Sequence, residues 1–352
     1  MYPHRIHLRG PWEYEPLQRI ERPDPSSPDL SLPLPPPGTM RLPCRWSVGG
    51  LSGFCGVVRF RRRFGRPARL DPHERLWLVC EGADAVSQWH LNGHDLGSHV
   101  GPFTPLEFDI TDRLESRNEL TVEVARHDRL PVPVPRGKLG PDGGLWGSVA
   151  LEVRGPADLT DLTVRTSWTA DHASVHAEGL IRTTRAAILE LHLLLDETLI
   201  HRQTFGTLSA PQPVRLDCSL NPAELRTWPT DPQPYRLCLE LIEGGTCWYT
   251  ATLPVGFRDT SALCGRAETM DLTEPIREAR RLSEADRHGQ PVRLRLPETD
   301  RWSEEVRNSY RQIVWGLAHH PSIVAWIVGG RDAEQIAAEL RAGDPTRPVL
   351  VE

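Results

Sequence analysis

No apolar run in this 352-residue chain approaches the roughly 18 residues needed to cross a bilayer, so no membrane partner is expected. The opening stretch MYPHRIHLRGPWEYEP places prolines and charges where a secretory leader needs an apolar core, so export by that route is not expected. A basic excess is missing as well. A formal net charge of −6 leaves no positive stripe and argues against nucleic acid as a partner. The seven cysteines, Cys44, Cys55, Cys80, Cys218, Cys238, Cys247 and Cys264, have no CxxC spacing. An odd, dispersed set suits reduced thiols in a cytoplasm better than a disulfide framework or a zinc site. There is no P-loop, no dinucleotide glycine fingerprint and no nucleophile elbow, and no cofactor is expected. What is present is ordinary globular composition, 39% hydrophobic and 25% charged. The 33 prolines, many of them between short apolar runs, favour a β-rich chain with proline-marked turns.

Three segments follow from the patterning. In residues 1–155, RPDPSSPDLSLPLPPPGTM reads as an extended surface loop, and alternating strands come after it. Asn92-Gly93, between SQWHL and HDLGSH, supplies the two positive φ angles of a type I′ hairpin. NELTVEVARH sets Leu120, Val122 and Val124 against polar neighbours, as a half-buried strand does. Short strands with frequent turns predict a jelly-roll-like β-sandwich. Residues 156–258 hold six to seven further strand-like runs in roughly 100 residues, the spacing of an immunoglobulin-like sandwich.

Residues 259–352 change character. A helix is predicted from Pro275 through Ile276, Ala279, Leu282 and Ala285 to Gly289, and QPVRLRLPE follows as a strand. A second helix opens at Ser303 and presents Val306, Tyr310, Ile313 and Leu317 on one face. IVAWIV is apolar on both faces, the pattern of a covered parallel strand. Asp332 with Gln335 predicts a capping box for a third helix closed by Gly343, and RPVLVE one more strand. Three strands alternating with helices make a parallel α/β unit. The fold class is therefore multidomain β plus α/β.

Local motifs now carry a likeness. LPCRW with GVVRFRRRF, WHLNGHDLGSHVGPFTPLEFDIT with NELTVEV, GGLWGSVALEV, RTWPTDPQPYRLCLEL, PVGFR, HHPSIVAWIVGG and DPTRPVLVE occur in co-linear order. Together they resemble glycoside hydrolase family 2, which includes β-galactosidases, β-glucuronidases and β-mannosidases. The resemblance implies a sugar-binding-like sandwich, an immunoglobulin-like sandwich and an α/β barrel. In that family the strand after His-Pro-Ser ends in Gly-Asn-Glu, and the glutamate is the general acid/base. IVGGRD places Gly329 on the glycine, Gly330 on the asparagine and Arg331 on the glutamate.

Retaining hydrolysis needs one carboxyl to protonate the leaving oxygen and a second, roughly 5 Å away, to attack the sugar. Arginine keeps its charge and cannot be that acid. A whole barrel takes about 250 residues, so the last segment is expected to be an incomplete (β/α) barrel without the nucleophile region. Two open sheet edges would need covering, by the sandwiches, a second copy or missing residues. The implied function is a carbohydrate-binding or scaffolding pseudo-glycosidase. The alternatives are an O-glycosyl hydrolase fragment or one completed by another chain, and a protein-assembly module.

Glu298 and Glu352 end strand-like runs and are read either as substitutes for the missing acids or as ordinary loop and terminal carboxylates. Arg331 is read either as a contact for a sugar acid or carboxylate, or as a salt bridge at a helix start. Trp326 and Trp302 are candidates for a sugar-stacking floor, with core packing favoured for both. His90, His94 and His99 surround the hairpin without metal-ligand spacing, and no metal is expected. His319 and His320 read as a helix end favoured by its dipole rather than as a base. The expected partners are a β-glycoside and further copies of the chain.

Overall fold

Asn92 and Gly93 adopt φ angles of 53° and 80°, as a two-residue hairpin turn requires. Asn92 Oδ1 accepts from Glu119 N (2.9 Å) and its Nδ2 donates to Asn118 Oδ1 (3.0 Å), which pins the turn to a neighbouring strand. The structure, a computed structural model, describes residues 3–20, 33–67, 70–84, 86–100, 105–126, 143–207, 210–258, 266–272, 275–299 and 303–352. Two compact units emerge: residues 4–153 with 301–309, and residues 154–300 with 310–352 and 1–3.

The first unit contains β1 (His4–His7), β2 (Trp12–Arg19), β3 (Gly38–Met40), β4 (Cys44–Arg45), β5 (Gly56–Gly65), β6 (Arg75–Cys80), β7 (Val86–Leu91), β8 (His94–Val100), β9 (Leu106–Asp109), β10 (Arg117–Arg126), β11 (Gly144–Leu145) and β12 (Val149–Arg154). Its main sheets run β3-β2-β5-β10-β7-β8 and β1-β12-β6-β9. Leu120, Val122 and Val124 on β10 are fully buried, as are Val58 and Phe60 on β5. Each such side chain contributes about 1.5–3 kcal/mol. The alternate positions Arg59 and Arg63 pair with Glu123 (2.8 Å) and Glu119 (2.9 Å) on the outer face. Exposed pairs of that kind contribute about 0–1 kcal/mol each, so the apolar row sets the register. Within the proline-rich stretch read as an extended loop, Gly38–Met40 is a strand paired with β2. Residues 22–32 of it lie outside the described residues.

The second unit opens with β13 (Ala157–Trp168), β14 (Ala173–Thr183), β15 (Ala187–Leu195), β16 (Thr198–Thr207), β17 (Gln212–Leu220), β18 (Thr227–Trp228), β19 (Tyr235–Glu243), β20 (Thr246–Val255) and β21 (Phe257–Arg258). Sheets β13-β14-β17 and β16-β15-β19-β20 enclose a core that includes Val175, Ala177, Leu189, Leu191, Leu193, Leu237, Leu239 and Leu241. None of the six described cysteines forms a disulfide; Cys264 lies outside the described residues.

The chain continues with β22 (Glu268–Asp271), α1 (Pro275–His288), β23 (Val292–Arg295), α2 (Glu304–Leu317), β24 (Ile323–Val328), α3 (Ala333–Gly343) and β25 (Val349–Val351), all in the second unit except residues 304–309 of α2, which belong to the first. Four strands pair in parallel in the order β22-β23-β24-β25, where the sequence predicted three. β22 escaped prediction because ETMD shows no apolar alternation. It is an edge strand held by main-chain bonding to β23, with Glu268, Thr269 and Asp271 exposed. All six residues of β24 are buried, as a covered parallel strand requires. Ser303 Oγ accepts from Val306 N (3.3 Å) and caps α2, and Val306, Tyr310, Ile313 and Leu317 form its buried face. The capping box predicted for α3 does not form: Asp332 holds the N-cap position without a side-chain bond.

Candidate functional site

β24 delivers its C-terminal end to Gly329, Gly330 and Arg331, the last two exposed. Glycine at 329 and 330 has a local cause. A Cβ at Gly329 would lie 3.1 Å from Glu298 Oε1 and 3.7 Å from the main-chain oxygen of Glu352, and Gly330 takes φ +90°. The loop is pressed between its neighbours and turned into a conformation that side chains avoid. Arg331 forms no hydrogen bond or ion pair with the described residues.

The two substitute carboxylates sit in different settings beside the same loop. Glu298 lies half-buried against Gly329 and Gly330. Glu352 Oε2 accepts from Arg295 Nη2 (2.6 Å), whose other amino group donates to Asp271 Oδ1 (3.0 Å). Bonding to Glu352 raises the Arg295 pKa further. Arg295 thus clamps Asp271, at the end of β22, to Glu352, just past β25. Sequence reasoning missed this clamp, because Arg295 reads as an ordinary strand residue until the sheet order is known.

Trp326 does not form an open sugar floor. It is fully buried, its Nε1 donates to Asp344 Oδ2 (2.8 Å), and the Arg347 guanidinium lies 5.7 Å from its ring centroid. Trp302 lies outside the described residues. The family-like stretches around this strand have structural work. Arg347 Nη1 donates to Asp344 Oδ2 (2.6 Å), Nε to Ile323 O (2.7 Å), and Nη2 to Ala318 O (2.6 Å) and His320 O (3.0 Å). On the other side, Asp286 accepts from His320 Nδ1 (2.6 Å) and Ser322 N (2.9 Å). Its main-chain oxygen accepts from Trp228 Nε1 (2.8 Å). His319 is not the dipole-favoured cation expected at a helix end: burial, then His320 and Arg347, push its pKa well below the ordinary value.

Among the described residues one trio brings metal-type ligand atoms within 4.8 Å of one another: Asp71, His73 and Glu74, on an exposed turn. Glu74 Oε2 there accepts from Asp71 N (2.8 Å), an arrangement that closes the turn. His90, His94 and His99 form no such group among the described residues. No helix among the described residues is long and apolar enough to cross a membrane.

Comparison with known proteins adds the following. Residues 57–129 match the family described as glycosyl hydrolase 2 galactose-binding domain-like. A putative beta-glucuronidase of Formosa agariphila is 23% identical over 198 residues, 54% of this chain and 24% of that protein. A beta-galactosidase of Thermoanaerobacter pseudethanolicus is 28% identical over 112 residues, 30% of this chain and 15% of that one. A putative beta-galactosidase structure from Bacteroides fragilis superposes with a TM-score of 0.79 at 17% identity, covering 100% of this chain and 64% of its own. A Bacteroides uniformis beta-glucuronidase does so with a TM-score of 0.77 at 15% identity, covering 99% and 52%. The chain thus spans a half to two-thirds of these solved neighbours and matches a quarter or less of the curated relatives.

Proposed function

We propose that this glycoside hydrolase family 2-like chain binds carbohydrate without cleaving it. On this reading residues 1–155 are the sugar-binding-like sandwich and residues 156–258 an immunoglobulin-like sandwich. Seven main strands in sheets of three and four support the second assignment. Residues 259–352 are then part of a (β/α) barrel, supported by four parallel strands joined through helices. The observation that carries the reading is Arg331, exposed and without a described ion partner at the mouth of β24. A guanidinium cannot protonate a leaving group at neutral pH, but its fork of donors matches a carboxylate in two-point fashion. The neighbours that are beta-glucuronidases suggest a uronic acid as the sugar.

A screen of p-nitrophenyl β-glucuronide and β-galactoside is expected to show no turnover above buffer. D-glucuronate should bind, with affinity reduced about tenfold in Arg331→Ala, a change of about 1.4 kcal/mol. Turnover that disappears in Glu298→Gln would overturn the proposal. A second reading, a hydrolase completed by further residues or another chain, is favoured by the partial coverage of the solved neighbours. It predicts activity on adding those residues, and would need another group for the role Arg331 cannot fill. A cytoplasmic setting and a homo-oligomer covering the β22 and β25 edges belong to the same proposal.

A further inference from the structure

We propose that a groove in the second unit, between the β13-β14-β17 sheet and α2, is an accessory saccharide site. It is distinct from the strand-end face and does not depend on Arg331. The cavity is about 620 Å³, within the range of about 300–1,000 Å³ usual for small-ligand sites. Its aromatic wall is Trp315, which lies off the buried Val306–Tyr310–Ile313–Leu317 face of α2 and is half-buried. A tryptophan there is not needed for packing that face, and its indole N–H donates to no described residue.

Opposite, β13 carries a bulge: its pairing with β14 shifts between Thr160 and Thr163, and Asp161 takes φ +51°. Bulges re-aim side chains, and here one brings the Asp161 carboxylate to the cavity with no hydrogen bond or ion pair to the described residues. Leu180 and Pro213 supply apolar lining, and Arg215, loosely paired with Glu178 at 3.5 Å, stands at the rim. The groove is tied together from behind. Arg165 pairs with Glu178 (3.1 Å) and donates to the main-chain oxygen of Gly343, at the end of α3.

The chemistry suits a pyranose. One face of such a ring is apolar C–H surface for Trp315 and the leucine–proline lining, and its edge is hydroxyl. The Asp161 carboxylate accepts from those hydroxyls, while the Arg215 guanidinium donates to them. A phosphorylated ligand is disfavoured by two carboxylates, Asp161 and Glu178, lining the same cavity.

The test uses lactose and cellobiose as probes of the full chain, read by saturation-transfer NMR and titration calorimetry. At least one is expected to bind. Trp315→Ala should weaken it by at least about tenfold, as loss of an aromatic anchor does, and Asp161→Asn by several-fold. Arg331→Ala should leave it unchanged, which separates this site from the strand-end reading. Asparagine tolerates the positive φ at 161, so that variant keeps the test open should Trp315→Ala fail to fold. Failure of both disaccharides to bind, or binding unmoved by either groove variant, would overturn the proposal.

Discussion

Asp344→Ala is expected to destabilise the second unit by about 3–5 kcal/mol, as removal of one member of a buried ion pair does. Asp344 is wholly inaccessible and the Arg347 side chain is only 2% exposed. Asp344 accepts from Arg347, Trp326 Nε1, Thr346 N and Thr346 Oγ1. Alanine would strand the Arg347 charge in the interior and orphan the indole N–H. Exposed pairs elsewhere on the chain, at about 0–1 kcal/mol each, offer no comparable lever. Hydrogen exchange over residues 318–328 reads the effect directly, because Arg347 also donates to Ala318, His320 and Ile323. Protection there indistinguishable from the parent protein would refute the assignment.

The same pair gives a pH dependence with a definite sign. Burial alone raises the Asp344 pKa, but Arg347 and the bonds from Thr346 and Trp326 outweigh it and leave the group below its ordinary value. A carboxylate whose folded pKa is depressed stabilises the fold above its unfolded pKa, about 3.9. That contribution is lost as pH falls through the lower, folded value. Asp344→Ala should therefore flatten the acid limb of the stability curve below about pH 4 while lowering the plateau above it.

Elements with a strong internal period were legible without coordinates. The Asn92-Gly93 turn, the alternation of β10, the doubly apolar β24 and the buried face of α2 all stand where residue spacing put them. β22 and β3 did not announce themselves, one lacking apolar alternation and the other embedded among prolines, since their pairing is main-chain bonding to a neighbour already in place. At the strand-end face, Arg331 was readable by position. The Arg295 clamp was not: its partners lie 24 and 57 residues away and meet it only through the sheet order. The burial of Trp326 follows from Asp344 and Arg347, whose spacing of three is visible in the sequence but whose target is not.

Asp286→Ala should have the second-largest effect, a loss of about 3 kcal/mol from two broken bonds, one of them at a buried charge. Asp286 and His320 are both buried, and the carboxylate also receives Ser322 N, so alanine leaves two interior donors without an acceptor. Trp228→Phe is the control. It removes only the indole bond to the Asp286 main-chain oxygen and should cost about 1 kcal/mol. Because Ser322 immediately precedes β24, the carboxylate of Asp286 sets where that strand begins, and six residues later its other end presents Gly329, Gly330 and Arg331. Glucuronate affinity in Asp286→Ala should accordingly fall along with stability, whereas lactose or cellobiose binding at the Trp315 groove should fall only as far as unfolding accounts for it. Equal losses at both sites under conditions where the variant stays folded would show that Asp286 does not position the strand end.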